Sequence, residues 1–367
     1  MSGEGISKHP CGIMRYLVFT QKVDRNDSVL GFFHDWVAAF ALRSEQVTVV
    51  ALSVGAHSFP KNVTVYSLGK EDGAGRITIF FRFFNYLFSL MGQTDAVFVH
   101  MNPVYVVLGG IFWRLRGKIV ALWYTHRNVD WKLRIAVRLS NIVFTASPEG
   151  CRVPSPKVQA IGHGIFVARF VEILRETKPG AGEPLRILHV GRITPIKNCT
   201  LIVEAASLLR NLLKVPFKIV FVGSPVTLAD EAYAKELLTL VRLRNLESII
   251  GFTGAVRNLD MPLLYARADL SINATPTGGL DKAVLESMAA AVPVVTSNEA
   301  FRPIFGTDAA SLMFQEHDAD DLAHRLATLL TGGTLPVLGH RLRERVMPFD
   351  IPILVGKIMR GIEALKK

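Results

Sequence analysis

The chain has 367 residues, half of them apolar, and a formal net charge of +11. That length argues for two domains, and the apolar share excludes a largely disordered chain. Three widely spaced cysteines, Cys11, Cys151 and Cys199, with no CxxC pair, argue against both a disulfide framework and a zinc site.

The opening residues MSGEGISKHPCG (1–12) have no apolar run ahead of a cleavage site, so they read as a loose polar leader and not as a signal peptide. The most apolar stretches, Ala96 to Phe112 and Phe217 to Gly223, are interrupted by His100 and Asn102 or are too short to cross a bilayer. The expected location is the cytoplasm. Residues 1–170 hold 19 Lys and Arg against 10 Asp and Glu, which leaves 23 against 21 for the rest. A basic first half suits a phosphorylated ligand or an anionic surface, and no nucleic-acid-binding motif accompanies it.

In chain order, short β-branched runs alternate with helical patterns: RYLVFT (15–20), VTVVALS (47–53), AVFVH (96–100), KIVALWY (118–124), NIVFTAS (141–147), RILHVG (186–191), KIVFVG (218–223) and PVVTSN (293–298). Continuous apolar strands separated by helices predict parallel sheets covered on both faces. The alternation breaks at Phe166 to Pro184, a charged stretch ending in KPGAGEP. The expectation is an α/β protein of two doubly wound, Rossmann-like domains facing a cleft, with ligands at the strand C-termini. The domains are placed at 13–167 and 168–347, followed by a C-terminal helix in 348–367. In that last segment Ile353, Val355, Ile358, Ile362 and Leu365 are taken as the apolar stripe.

RITIFFRFFNYLFSLM (76–91) sets Thr78, Arg82, Asn85 and Ser89 on one stripe with aromatics around the rest. This fits a helix covering the first sheet or a basic amphipathic helix for membrane contact. HDADD (317–321) contains D-x-D but precedes a helical pattern, so it reads as an N-cap with an acidic first turn, and no metal is assigned.

Two stretches of the second half carry chemistry. In RILHVGRITPIKN the cations Arg192 and Lys197 follow a strand and a glycine turn, a spacing that fits either a diphosphate clamp or a solvated basic turn. In PTGGLDKAVLESMAAAVPVV (276–295) turn formers and two glycines lead into a helix with one carboxylate, Glu286, in its second turn. Such an approach lets an anionic ligand reach bare backbone N–H groups.

The ordered set of G-R-x-x-x-x-K, VFVG, GFTGAV (251–256), YARADLSINATP and the glycine turn with Glu286 resembles the C-terminal half of retaining glycosyltransferases of the GT-B fold, family 4, over residues 186 to about 330. The first half resembles the same family more loosely, through DAVFVHMNPVYVVLGG, IVALWYTHRNVDWKLR and VQAIGHGIF. The resemblance implies that Arg192 and Lys197 hold the diphosphate of a nucleotide sugar and take part in catalysis. Glu286 would accept hydrogen bonds from both ribose hydroxyls. Gly278, Gly279, Leu280, Asp281 and Lys282 would meet the distal phosphate and the sugar, with Gly191, Gly254 and Val256 completing the sugar-donor site. His126, past a strand end, matches a histidine near the anomeric centre and is the third catalytic candidate. Gly31, His100 and His163 are candidates for phosphate or acceptor contact.

Two departures stand out. Gly278 occupies the position of the family's second glutamate, and the glycine pair after the first strand is replaced by TQKVDRNDSVLG. The function implied is metal-independent, cofactor-free transfer of a hexose-type sugar, with retention, to a glycan or lipid-linked acceptor. The basic first half adds an anionic membrane surface as an expected partner, and no nucleic acid is expected. The alternatives are a GT-B nucleotide-sugar 2-epimerase and a non-catalytic protein that binds nucleotide sugars or anionic surfaces.

Overall fold

The computed structural model describes residues 14–126, 128–173 and 183–366. The leader with Cys11, and the middle of the Phe166–Pro184 junction, lie outside the described residues.

Within those residues the first unit is a parallel sheet of β1 (Arg15–Val23), β2 (Gln46–Val54), β3 (Val63–Ser67), β4 (Ala96–His100), β5 (Ile119–Trp123), β6 (Ile142–Thr145) and β7 (Val158–Ala160). Its order is β3-β2-β1-β4-β5-β6-β7. The second unit's parallel sheet holds β8 (Leu185–Val190), β9 (Phe217–Val222), β10 (Ile250–Gly254), β11 (Leu270–Asn273) and β12 (Val294–Thr296), in the order β10-β9-β8-β11-β12. The order reverses beside β1 in one sheet and beside β8 in the other, and each reversal opens a crevice at the strand C-termini.

The helices of the first unit are α1 (Phe33–Ala41), α2 (Arg76–Met91), α3 (Pro103–Leu115) and α4 (Trp131–Leu139), whereas α5 (Val167–Val171) packs into the core of the second. The second unit carries α6 (Cys199–Leu212), α7 (Leu228–Leu243), α8 (Met261–Ala266), α9 (Lys282–Ala289), α10 (Arg302–Phe305), α11 (Ala309–Leu312), α12 (Ala319–Thr331) and α13 (Leu335–Val346), and the chain ends in α14 (Ile351–Glu363). Asp318 caps α12 by accepting from Asp321 N at 2.8 Å, so HDADD is a helix start.

Alternation along β1 explains the layers. Tyr16 and Val18 face a core shared with α1 and α14, whereas Leu17 and Phe19 face one shared with α2, α3 and α4. The last helix thus returns to the first unit, where Ile351, Leu354, Val355, Ile358, Met359 and Ile362 pack with Trp36, Phe40 and Phe144. The stripe differs from the expected one, because Ile353 and Leu365 are exposed. Residues two apart on a helix stand about 200° apart, so Ile353 cannot share a seam with Val355, and Leu365 lies beyond the helix end.

Four strands carry weaker sequence signals. β3 and β10 are edge strands with partly or largely exposed residues, β7 has three residues, and β11 is the four-residue run LSIN within YARADLSINATP.

Candidate active site

A cavity of about 200 Å³ lies between the units, lined by Gly191, Arg192, Gly223, Asp281, Lys282 and Glu286 from the second and by Ser28, Val29 and Phe32 from the β1–α1 loop of the first. Val256 lines it too. The ends of β8 and β9 approach closely. Gly223 has φ +137°, and a Cβ there would stand 2.0 Å from the Gly191 carbonyl oxygen, so no larger residue fits. Gly254, at φ +74°, accepts from Gly223 N at 2.9 Å and fixes the neighbouring turn.

The two cations of RILHVGRITPIKN have different surroundings. Arg192 is exposed at the cavity rim and forms no ion pair among the described residues. The Lys197 stem lies along Gly191, and its ammonium group donates to the Asp281 carboxylate and, at 3.3 Å, to Thr275 Oγ1. Asp281 also accepts from Asn273 Nδ2 at 3.0 Å and Thr275 Oγ1 at 3.1 Å, and caps α9 by accepting from Ala283 N at 3.3 Å. Burial alone would raise the Asp281 carboxyl, but the Lys197 charge and these hydrogen bonds outweigh it and hold the group well below the usual carboxylate range.

One turn further along α9, Glu286 is only 7% exposed. Burial pushes its carboxyl up, against the opposing pull of Lys282. Lys282 is shifted down by burial, against Glu286, Asp281 and Asp35, and its ammonium lies over the ring of Phe32 in the first unit. Cross-unit packing therefore desolvates both charges, and each moves toward neutrality.

The glycine turn is pinned by Asn298. Gly278 N donates to Asn298 Oδ1 at 3.2 Å, and Asn298 Nδ2 donates to Gly279 O at 3.0 Å. A Cβ on Gly279 would come within 3.9 Å of Thr125 Oγ1 in the first unit, so the turn faces across the cleft. Leu280 packs against the second unit's core.

The first-unit candidates lie elsewhere. His100 and His126 line a separate cavity of about 400 Å³ at the ends of β1, β4 and β5, together with Gln21, Asn102, Tyr124 and Lys132. His126 is exposed and its Nδ1 accepts from Asn128 N at 3.2 Å. His100 is buried, stacks on Phe33 at 4.2 Å, and is lowered well below the ordinary imidazole value by burial and then by Lys282. His163 is also buried, and burial followed by Lys282 lowers it to about 3. Its Nδ1 accepts from Gly164 N at 2.8 Å. Both imidazoles are neutral at pH 7. Gly31 borders a third cavity, with Asp35 and Arg169, and a Cβ there would meet Asp27 O at 2.4 Å.

Five residues shape the cleft to which the sequence reading gave no role. Arg169 donates to both Asp35 oxygens, at 2.8 and 3.0 Å, and to Asn258 Oδ1 at 2.9 Å, bridging α1 to the second unit. Asn273 ends an apolar strand, and Gly223, Thr275 and Asn298 stand within two residues of strand ends, and that position was their available signal. Among the described residues no cluster of three or more His, Cys, Asp or Glu could hold a metal ion.

Residues 184–332 match the family model of glycosyl transferases group 1. That match covers the second unit through α12, with Arg192, Lys197, Asp281 and Glu286. No curated protein sequence matches the chain. Among solved structures, HepE from Anabaena in complex with UDP and glucose is similar at TM-score 0.75 and 17% identity, over 96% of this chain and 100% of that one. A glycosyltransferase from Rickettsia africae is similar at TM-score 0.72 and 14% identity, over 96% and 100%. Sucrose-phosphate synthase from Thermosynechococcus elongatus is similar at 0.69 and 14%, over 95% and 99%. At these identities the likeness is one of fold: two Rossmann-like units in the GT-B arrangement.

Proposed function

We propose that the chain is a glycosyltransferase that moves a hexose-type sugar from a nucleoside diphosphate sugar to a glycan or lipid-linked acceptor, with retention of anomeric configuration. The observation that carries this reading is the cavity at the β8 and β9 ends. An unpaired guanidinium, Arg192, and a desolvated carboxyl, Glu286, line one cavity beside the N-terminus of α9, within the stretch that matches the family model. HepE, similar in fold, has been solved with UDP and with UDP-glucose.

In this reading Arg192 grips the diphosphate, Lys197 reaches it while anchored on Asp281, and the α9 amides complete the cradle. Glu286 accepts from the two ribose hydroxyls, whose spacing suits the two oxygens of one carboxylate. The sugar lies toward the Gly278–Gly279 turn, and the acceptor enters from the pocket holding His126. As the glycosidic bond breaks, negative charge grows on the leaving diphosphate, where fixed cations and amides stabilise it more than in the ground state. The departing phosphate oxygen takes the acceptor proton, so no carboxylate pair flanking the anomeric carbon is required.

Incubation with nucleotide sugars, first alone and then with a panel of acceptor glycans, tests the proposal. It expects an unchanged or slowly hydrolysed sugar donor alone and transfer with an acceptor. An epimerised donor would replace the reading with a 2-epimerase, and tight binding without turnover would replace it with a binding protein.

A further inference from the structure

The outer face of the first unit exposes more apolar surface than covering its sheet requires. A helix covering a sheet needs one apolar stripe, and on α2 that stripe is Phe83, Leu87 and Met91, all buried. The helix carries a second apolar stripe that stays largely in the open: Ile77 is 74% exposed, Phe81 67% and Phe88 53%. It continues onto α3, since the Phe112 ring stands 5.4 Å from Phe88 and 6.1 Å from Phe84, and Leu115 beyond it is 79% exposed. Contiguous exposed aromatic surface of this kind marks an interaction site.

The charge of this region is mostly positive. Glu71 and Asp72 are exposed just before α2, and between residues 73 and 140 nine Lys and Arg stand against two carboxylates, Asp95 and Asp130. Both carboxylates are engaged, Asp95 by Arg15 and Asp130 as the cap of α4, where it accepts from Leu133 N at 2.8 Å. Arg76, at the start of α2, and Arg114 and Arg116, at the end of α3, are exposed. A second copy of the chain laid on this face would set these cations against their own equivalents, which disfavours a symmetric dimer. Among the described residues no helix is long and apolar enough to cross a membrane, so the face would lie on a bilayer and not in it.

We propose that the α2–α3 face docks on an anionic lipid bilayer, with Phe81 and Phe88 entering the interface and Arg76, Arg114 and Arg116 meeting lipid phosphates. Docking is a property of this face alone and does not depend on the transfer reaction. The sugar-donor cavity lies between the units and shares no residue with it.

Flotation of the full chain with vesicles tests this. Phosphatidylcholine vesicles containing 30 mol% phosphatidylglycerol are compared with pure phosphatidylcholine at low and high salt, with nucleotide affinity measured in parallel. The expected result is binding to the anionic vesicles alone at low salt, weakened by salt. Each Arg76→Gln or Arg116→Gln change should lower partitioning about fivefold. Phe81→Ser with Phe88→Ser should lower it at least tenfold, with melting temperature and nucleotide affinity unchanged because these residues are exposed. Equal binding to neutral vesicles, no binding at low salt, unchanged binding by the variants, or a dimer that buries Phe81 would each overturn the proposal. Failure here with nucleotide affinity intact leaves the transferase reading standing, and lost nucleotide affinity with vesicle binding intact does the reverse.

Discussion

The two cavities of the cleft are built on opposite plans. In the second unit the polar groups are fixed: Asp281 engages Lys197, Asn273, Thr275 and an α9 amide, and Asn298 holds both strands of the glycine turn. In the first unit the larger pocket is bordered by an exposed His126 and a buried, neutral His100. A preorganised site suits a ligand whose charge does not vary, such as a diphosphate, and a looser pocket suits an acceptor bound chiefly through shape and hydroxyls.

The widest separation of the two units comes from removing residues 350–367. The deletion strips six buried apolar residues of α14 from the first unit's core, worth about 10 kcal/mol of burial, the order of a whole domain's stability. Thermal melting should show the first unit's transition lost or strongly lowered, and a wild-type melting profile would contradict the role of α14.

Next comes Arg192→Ala against His126→Ala. Loss of Arg192 should lower kcat/KM about 10²- to 10³-fold with an unchanged melting temperature. Loss of His126 should raise acceptor KM about tenfold or less and leave nucleotide affinity unaltered. Comparable losses of nucleotide affinity in both variants would erase the distinction between the cavities.

A smaller effect concerns pH. His163 titrates near 6.5 when unfolded and is lowered to about 3 by burial in the folded chain, so the folded state binds fewer protons in between. The stability this gives is complete above about pH 6.5 and is lost as pH falls toward 3, by up to about 1.4 kcal/mol per pH unit. Urea unfolding between pH 7 and 4.5 should show that decline, flattened by up to this slope in His163→Gln. An identical slope in the variant would show that His163 is not held neutral by its burial.

The same contrast explains what the sequence made legible. Strands β1, β2, β4, β5, β6, β8, β9 and β12 announce themselves as continuous apolar runs because both faces of each sheet are covered. The edge strand β3 is half exposed and gives no such run. Arg192, Lys197 and Glu286 stand in two short segments beside glycines, so local pattern alone draws attention to them. The pairing of Lys197 with Asp281 joins residues 84 positions apart, and the Arg169–Asp35 bridge joins residues 134 apart. Neither leaves a periodic trace, and only the crossing of the chain between the sheets brings them together. The stripe of α14 was misread at Ile353 because several apolar residues offer competing seams, and docking against Trp36 and Phe144 selects among them.

The central claim is that Glu286 reads the ribose of a nucleoside diphosphate in the second unit. Calorimetric titration of the chain and of Glu286→Gln with UDP, GDP and ADP, each beside its 2′-deoxy form, tests it most directly. The chain should bind one ribonucleotide diphosphate about tenfold more tightly than its deoxy form, the worth of one hydrogen bond. In Glu286→Gln that preference should collapse to near unity, with binding of the deoxy form little changed. A preference that survives the substitution, or no binding of any of these diphosphates, would contradict it.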